Sequence, residues 1–247
     1  MILIFISIIN TVSLHKYQIK LYLGIRYMNI GKKLSLVQEK IYMACKKSSR
    51  KYLSIKLIAV TKNVTEEKIK IVLNEGHKEF GENRVQEACK KWKKLKKSNA
   101  GITLHMIGPL QTNKVKQALR IFDVIETLDR AKLAKELLKH KEKVHKFPEL
   151  FVQVNLGEES NKSGCSPISA VDFINECRQL GLEITGVMGI PPLGIDPSPY
   201  FALLRNIAKR ASVKTISMGM SNDFELAIYL GATHVRIGSD IFGERNA

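Results

Sequence analysis

Cysteine is scarce in this chain, and none of it is paired in sequence. Cys45, Cys89, Cys165 and Cys177 form no C-x-x-C and share no metal-ligand spacing with the six histidines. That argues against a disulfide scaffold and against the common zinc frameworks. Cys165 and Cys177 flank a predicted helix and could in principle meet, but a reduced, intracellular chain is the plainer reading. A hydrophobic run of membrane-spanning length is also missing. Met1 to Asn10 is nearly all apolar, yet it is too short to cross a bilayer. Its flanking charge is on the wrong side for a secretory signal, because Lys16, Lys20 and Arg26 follow the apolar run instead of preceding it. Internal repeats are absent, and the only low-complexity stretch is a lysine-rich patch.

Acidic residues are the remaining shortage: 23 against 40 basic ones, for a net charge of +17. Such an excess suits polyanions, phosphate ligands or a proteome-wide lysine bias. The densest basic run, Lys90 to Lys97, holds Trp92 and Leu95 three residues apart. It therefore reads first as an amphipathic helix end with one apolar face and only second as a nucleic-acid patch. Lysines spread over the whole chain weaken the nucleic-acid reading further. Residues 1–27 are expected to be an apolar extension ahead of a natural start at Met28, with a weak membrane anchor as the rival; without their three cations the charge is still +14. Residues 28–247 suit one large domain, and an apolar fraction of 45% allows a real core.

Hydrophobic periodicity predicts a helix over 30–49, from Leu34, Val37, Ile41 and Ala44, followed by strictly alternating strand and helix patterns. The predicted strands are 56–61, 78–81, 103–107, 122–127, 150–155, 183–188, 213–217 and 233–237. The predicted helices are 65–75, 83–97, 112–119, 129–140, 168–180, 199–210 and 222–230. Thr65 is placed to cap one helix that Gly76 ends, and Asp129 and Ser221 to cap two others. Eight such units without a long linker predict a single (β/α)8 TIM-type barrel with an extra N-terminal helix. A doubly wound open sheet is the alternative.

In either arrangement chemistry collects at the C-terminal ends of the strands. The first strand, Leu57-Ile58-Ala59-Val60-Thr61, is closed abruptly by Lys62. A partly desolvated lysine there favours the neutral amine and is a candidate Schiff-base nucleophile. Taken alone, that position fits a lysine snorkelling to water better, and it is the other strand ends that favour the nucleophile. These later strands end in Phe80-Gly81-Glu82-Asn83, His105 to Lys114, Gln153-Val154-Asn155 with Ser163-Gly164, Ser217-Met218-Gly219-Met220-Ser221, and Arg236-Ile237-Gly238-Ser239. Helix and loop amides after strands seven and eight form a usual barrel phosphate site, and Gly238 lets the backbone approach closely. Ordinary turn chemistry also accounts for Ser217, Ser221 and Ser239, and Arg236 also fits a buried pair with a carboxylate such as Glu82. Together with Lys62, the set points to a phosphorylated aldehyde, pyridoxal 5′-phosphate.

Ala59-Val60-Thr61-Lys62, Phe80 to Asn83 with Val85-Gln86-Glu87, His105 to Lys114, Ser217 to Asp223 and Val235 to Gly243 resemble, in order, the pyridoxal phosphate homeostasis protein family. The resemblance runs from about residue 30 to the end. It implies an alanine racemase N-terminal-like barrel in which Lys62 carries the cofactor as an internal aldimine and Arg236 faces the pyridine nitrogen. It further implies that Ser221, Gly238 and Ser239 hold the phosphate, and that Ser217 and Asn83 are pocket residues. The chain departs from the family at Arg84, where an aromatic is common, at Leu104, where tryptophan is common, and at Asn63-Val64. The stretch from Pro191 to Ser212 is shorter than usual and is expected to leave the pocket untouched.

An arginine at the pyridine nitrogen keeps it unprotonated and makes the ring a poor electron sink. Racemases of the same fold type add a second domain with a tyrosine base, for which this chain is expected to have no room after Gly243. His105 is the nearest acid/base candidate, and a ring hydrogen-bonded within the barrel wall is the plainer reading of it. The expectation is a cytoplasmic, monomeric cofactor carrier with little or no turnover, off the membrane, serving apoenzymes that use the same cofactor. The competing classes are a weakly active amino-acid racemase or other enzyme using the cofactor, its base supplied by a partner chain, and a salt-dependent nucleic-acid binder.

Overall fold

Branched apolar residues on successive positions suit strands buried on both faces, and the computed structural model, which describes residues 30–243, places them so. In β1 (Lys56–Val60), Leu57 and Ala59 join the apolar layer beneath the helices, while Val60 lines a cavity at the barrel mouth. The remaining strands are β2 (Glu79–Glu82), β3 (Thr103–Met106), β4 (Val124–Leu128), β5 (Glu149–Val154), β6 (Ile184–Gly189), β7 (Thr215–Ser217) and β8 (His234–Ile237). All are parallel, each pairs with the next, and β8 pairs with β1 to close the barrel. The open-sheet alternative is thereby excluded. The apolar extension expected at 1–27 lies outside the described residues.

A helix over 30–47, α1, buries Leu34, Val37, Ile41 and Ala44, the stripe that its three-and-four spacing predicts. Between the strands run α2 (Glu66–Asn74), α3 (Val85–Ser98), α4 (Val115–Ile121), α5 (Ala131–Lys139), α6 (Ala170–Gln179), α7 (Ser198–Arg210) and α8 (Phe224–Tyr229), with a one-turn α9 (Ser239–Phe242) after β8. Just past α1, Arg50 donates to the carbonyls of Ile228 and Ala232 at 2.7 and 2.6 Å, which fastens that helix to the end of α8. Trp92 and Leu95 are buried on α3, so the lysine run is a helix with an apolar face, as its spacing predicts. The four cysteines are free thiols, and burial pushes Cys165 up to about 12.

Local differences from the expected elements have physical causes. Thr65 does precede α2, and Gly76, at φ +81°, ends it in the left-handed turn that glycine favours. Asp129 does not cap α5; Arg130 holds that position and pairs with it. Ser221 does not cap α8 either. A turn over 221–223 intervenes, and Asp223 takes the N-cap position, accepting the Met220 amide at 2.6 Å. The one-turn α9 is too short to carry a periodic signal, and the sequence did not predict it.

Candidate functional site at the barrel mouth

The loops after β1, β2, β6, β7 and β8 enclose a cavity of about 530 Å³ at the C-terminal mouth, a size that suits a small cofactor. Its lining brings together Lys62, Asn83, Ser221, Arg236, Gly238 and Ser239. Ser217, the seventh expected pocket residue, lies one level down; it is fully buried and reaches Arg236 instead of the cavity.

Lys62 sits on the rim because Thr61 prolongs the β1 ladder, its amide donating to Gly81 O at 2.9 Å, and Asn63 at φ +57° then turns the chain away. Asn enters that left-handed region more readily than most residues. The β2 and β3 loops meet backbone to backbone at Gly108, where an added Cβ would lie 2.3 Å from Asn83 O. That close approach fixes Asn83 in the cavity wall. On the other side, Gly219 turns the chain at φ +92° below Ala227, which delivers Ser221 to the rim. There Ser239 Oγ donates to Ser221 Oγ at 2.9 Å.

Arg236 comes up from inside the barrel. Its Nη1 donates to Ser217 Oγ at 2.7 Å and its Nη2 to Gly189 O at 3.0 Å. Each terminal nitrogen of a guanidinium carries a second N–H, so both keep donor capacity. Burial lowers the pKa of this arginine, while the carboxylates of Glu126 and Asp223 oppose the shift. An arginine nevertheless keeps its proton in a protein, so the cavity floor is cationic.

The carboxylate behind Arg236 is not Glu82. That residue faces the helix layer, where its Oε1 accepts from Trp92 Nε1 at 2.9 Å and from Thr61 Oγ1 at 2.6 Å. Strand alternation separates it from the barrel axis. The barrel's own acid is Glu126, whose Oε2 accepts from Ser217 Oγ at 2.6 Å and whose Oε1 meets His105 Nδ1 at 2.7 Å. His105 Nε2 meets Glu79 Oε2 at 2.9 Å, so both ring nitrogens are engaged inside the wall. Burial alone would lower the His105 pKa, but the two carboxylates outweigh it and hold it up at about 9. His234, whose ring centroid is 6.0 Å from that of His105, is pushed down by burial to about 4.

The loop after β6 escapes the sequence reading. The expectation that the shortened stretch from Pro191 would leave the pocket untouched is wrong, because Ile190 to Ile195 and Pro197 form one wall of the cavity. Two prolines in succession at a strand end are the signal that marks such a stiff loop. Conversely, Gln153, Asn155, Ser163 and Gly164 turn toward one another; Gln153 Nε2 donates to Ser163 O at 3.0 Å, and these residues are not part of the lining. Among the described residues no cluster suits a metal ion, and no helix is long and apolar enough to cross a membrane.

The family model for the N-terminal domain of alanine racemase matches residues 43–246. A curated relative from Aquifex aeolicus, named pyridoxal phosphate homeostasis protein, is 39% identical over 228 residues, covering 88% of this chain and 99% of that protein. A crystal structure of a protein of unknown function from Bifidobacterium adolescentis superposes with a TM-score of 0.82 at 30% identity, over 88% of this chain and 96% of that one. PipY of Synechococcus elongatus, solved with PLP bound, gives a TM-score of 0.74 at 31% identity, over 87% of this chain and all of that one. With a closed eight-stranded barrel, a lysine and an arginine at one mouth, and such likeness along nearly its whole length, the chain belongs to the pyridoxal phosphate homeostasis protein family, on the alanine racemase N-terminal fold.

Proposed function

We propose that this protein binds pyridoxal 5′-phosphate at the barrel mouth, tethers it through Lys62, and serves vitamin B6 and amino-acid homeostasis as a carrier with little or no catalysis. One observation carries the reading: Lys62, Arg236 and the pair Ser221 and Ser239 line a single cavity. The residues present fit the group. An amine, a guanidinium and two hydroxyls converge there, with Asp223 as the only carboxylate among the described lining residues. When bound, the cofactor supplies an aldehyde carbon and an electron-accepting ring.

Lys62 would hold the cofactor at its aldehyde carbon, a bond that an amine forms reversibly with loss of one water, and the open mouth would admit the water that releases it. Ser221, Gly238 and Ser239 would hold the phosphate, and Asn83 would wall the ring. Arg236 would face the pyridine nitrogen and, being always charged, would leave it unprotonated, which would weaken carbanion chemistry. Ser217 aims that arginine. Two observations favour a carrier over a racemase: His105 has both nitrogens engaged below the cavity, and the described lining includes no histidine or tyrosine. We further propose a monomeric, cytoplasmic protein whose residues 28–247 form one barrel domain and which delivers its cofactor to apoenzymes.

An absorbance spectrum of the purified chain, taken before and after borohydride, with mapping of the modified peptide, tests the tether. The label is expected on Lys62; a label elsewhere, or no visible band, overturns the assignment. Incubating amino acids with the loaded protein in heavy water tests the carrier reading, which sustained α-proton exchange would overturn in favour of a racemase.

A further inference from the structure

One lysine of the basic run is not on its solvated face. Lys91 is only 9% exposed, whereas Lys90, Lys93 and Lys94 are exposed. A buried ammonium is costly unless it is paired, and its partners here gather around one short stretch of backbone. Lys91 Nζ lies 2.6 Å from Glu82 Oε1, 2.9 Å from Glu87 Oε1 and 2.6 Å from the carbonyl oxygen of Thr61. That carbonyl belongs to the peptide unit that supplies the N–H of Lys62. On the far side of Lys62, the Asn63 amide donates to the same Glu87 Oε1 at 2.6 Å. The peptide units on both sides of Lys62 therefore end on one ion pair presented by α3. Asn63 is held at φ +57°, a conformation that costs free energy and persists where its surroundings fix it.

We infer that Lys91 and Glu87 are positioning residues: they clamp the backbone around Lys62 and so set the aim of its amine into the cavity. The inference rests on the reading of Lys62 as the tether. Stability alone is a poor explanation for Lys91, since a well-packed apolar side chain is often as good as a buried ion pair, and Trp92 beside it already anchors α3. The bond from Lys91 to the Thr61 carbonyl is what an apolar substitute would not reproduce.

The test uses the full chain with three changes: Glu87→Gln, a neutral double variant Lys91→Met with Glu82→Gln, and Lys93→Met as an exposed control from the same run. Two quantities are measured, the rate of covalent capture of pyridoxal 5′-phosphate and the affinity for its alcohol analogue, which has ring and phosphate but no aldehyde. Misplacing a reactive group by about 1 Å costs up to about a hundredfold, so capture should slow by about tenfold or more in the double variant and by several-fold in Glu87→Gln. Affinity for the alcohol analogue should stay within about twofold, and Lys93→Met should match the parent. An unchanged capture rate in a folded clamp variant overturns the inference, as does an equal loss of both quantities, which would mark a merely structural role. If the double variant does not fold, Glu87→Gln decides, because Glu87 is part-exposed and its change leaves the helix face intact. If the parent itself captures nothing at Lys62, the cofactor reading fails separately, and hydrogen exchange at the Lys62 and Asn63 amides decides the clamp. Faster exchange in Glu87→Gln supports it, and unchanged exchange overturns it.

Discussion

Arg236 reaches the buried carboxylate of Glu126 only through Ser217, whose hydroxyl accepts from Nη1 at 2.7 Å and donates to Glu126 Oε2 at 2.6 Å. The serine spaces the guanidinium away from its counter-ion and toward the mouth, where a direct ion pair would have drawn it down. The relay continues through His105 to Glu79, so Arg236 is braced by groups contributed by β2, β3, β4 and β7.

Replacing Ser217 with alanine removes the donor to Glu126 and the acceptor for Arg236 together. Leaving a buried polar group without its partner costs about 1–3 kcal/mol, so Ser217→Ala should lower the unfolding free energy by that amount in denaturant titration. It should also weaken cofactor binding, since Arg236 loses its aim. A variant as stable as the parent would mean that the relay does not constrain the arginine.

The relay has a pH dependence of definite sign. His105 is held at about 9 against an ordinary 6.5, so its contribution is fully present below about pH 6.5 and is lost as pH rises through 9. A shift of that size corresponds to about 3 kcal/mol, shared with Glu126 and Glu79. Glu79, held at about 2 against burial by His105 and Lys56, works in the other direction, its contribution being lost only as pH falls below 4.5 toward 2. Denaturation midpoints at pH 6, 8 and 10 should fall more steeply for the parent than for His105→Gln. Parallel curves would show that the ring is not charged in the folded barrel.

Ser239 donates its hydroxyl proton to Ser221, which leaves the Ser221 proton to the phosphate proposed for this rim and fixes the pair beforehand. A hydrogen bond to a charged group is worth about 1.5–3 kcal/mol, and either alanine substitution should weaken the dissociation constant by about tenfold or more. Because the two hydroxyls share one interaction, the double variant should lose less than the sum. Calorimetric titration of the four proteins measures both effects, and single variants that bind like the parent would remove the serines from the phosphate site.

How much of this was legible in the sequence depended on whether a feature is local. Lys62, Gly238 and Ser239 each follow directly from a strand and its ending, so hydrophobic patterning located them at one rim. Glu126 lies inside a predicted strand, yet nothing in the sequence says which carboxylate crosses the barrel to β7, and Glu82 fits equally well as a partner for Arg236. Residue parity along β2 separates the two. An added Cβ at Gly81 would meet the side chains of Ile58 and Ile107, whereas its neighbour Glu82 points out to Trp92. The wall from Ile190 to Ile195 was missed because it depends on how a loop folds back over the mouth. Lys91 was hidden among lysines that look alike in sequence and differ only in the helix face on which they fall.

The same closeness of loops gives a purely steric prediction. Gly108 has no left-handed backbone, but a Cβ there would lie 2.3 Å from Asn83 O and 2.7 Å from Asn83 Cα. Both are backbone atoms and have no rotamer by which to yield. Gly108→Ala must therefore push the β2 and β3 loops apart, at a cost of about 1–3 kcal/mol, and carry Asn83 out of the cavity wall. Thermal unfolding should drop by several degrees and cofactor affinity should fall with it. An alanine variant with parental stability and binding would mean that the loops are free to separate, and Asn83 would then lose its place in the wall.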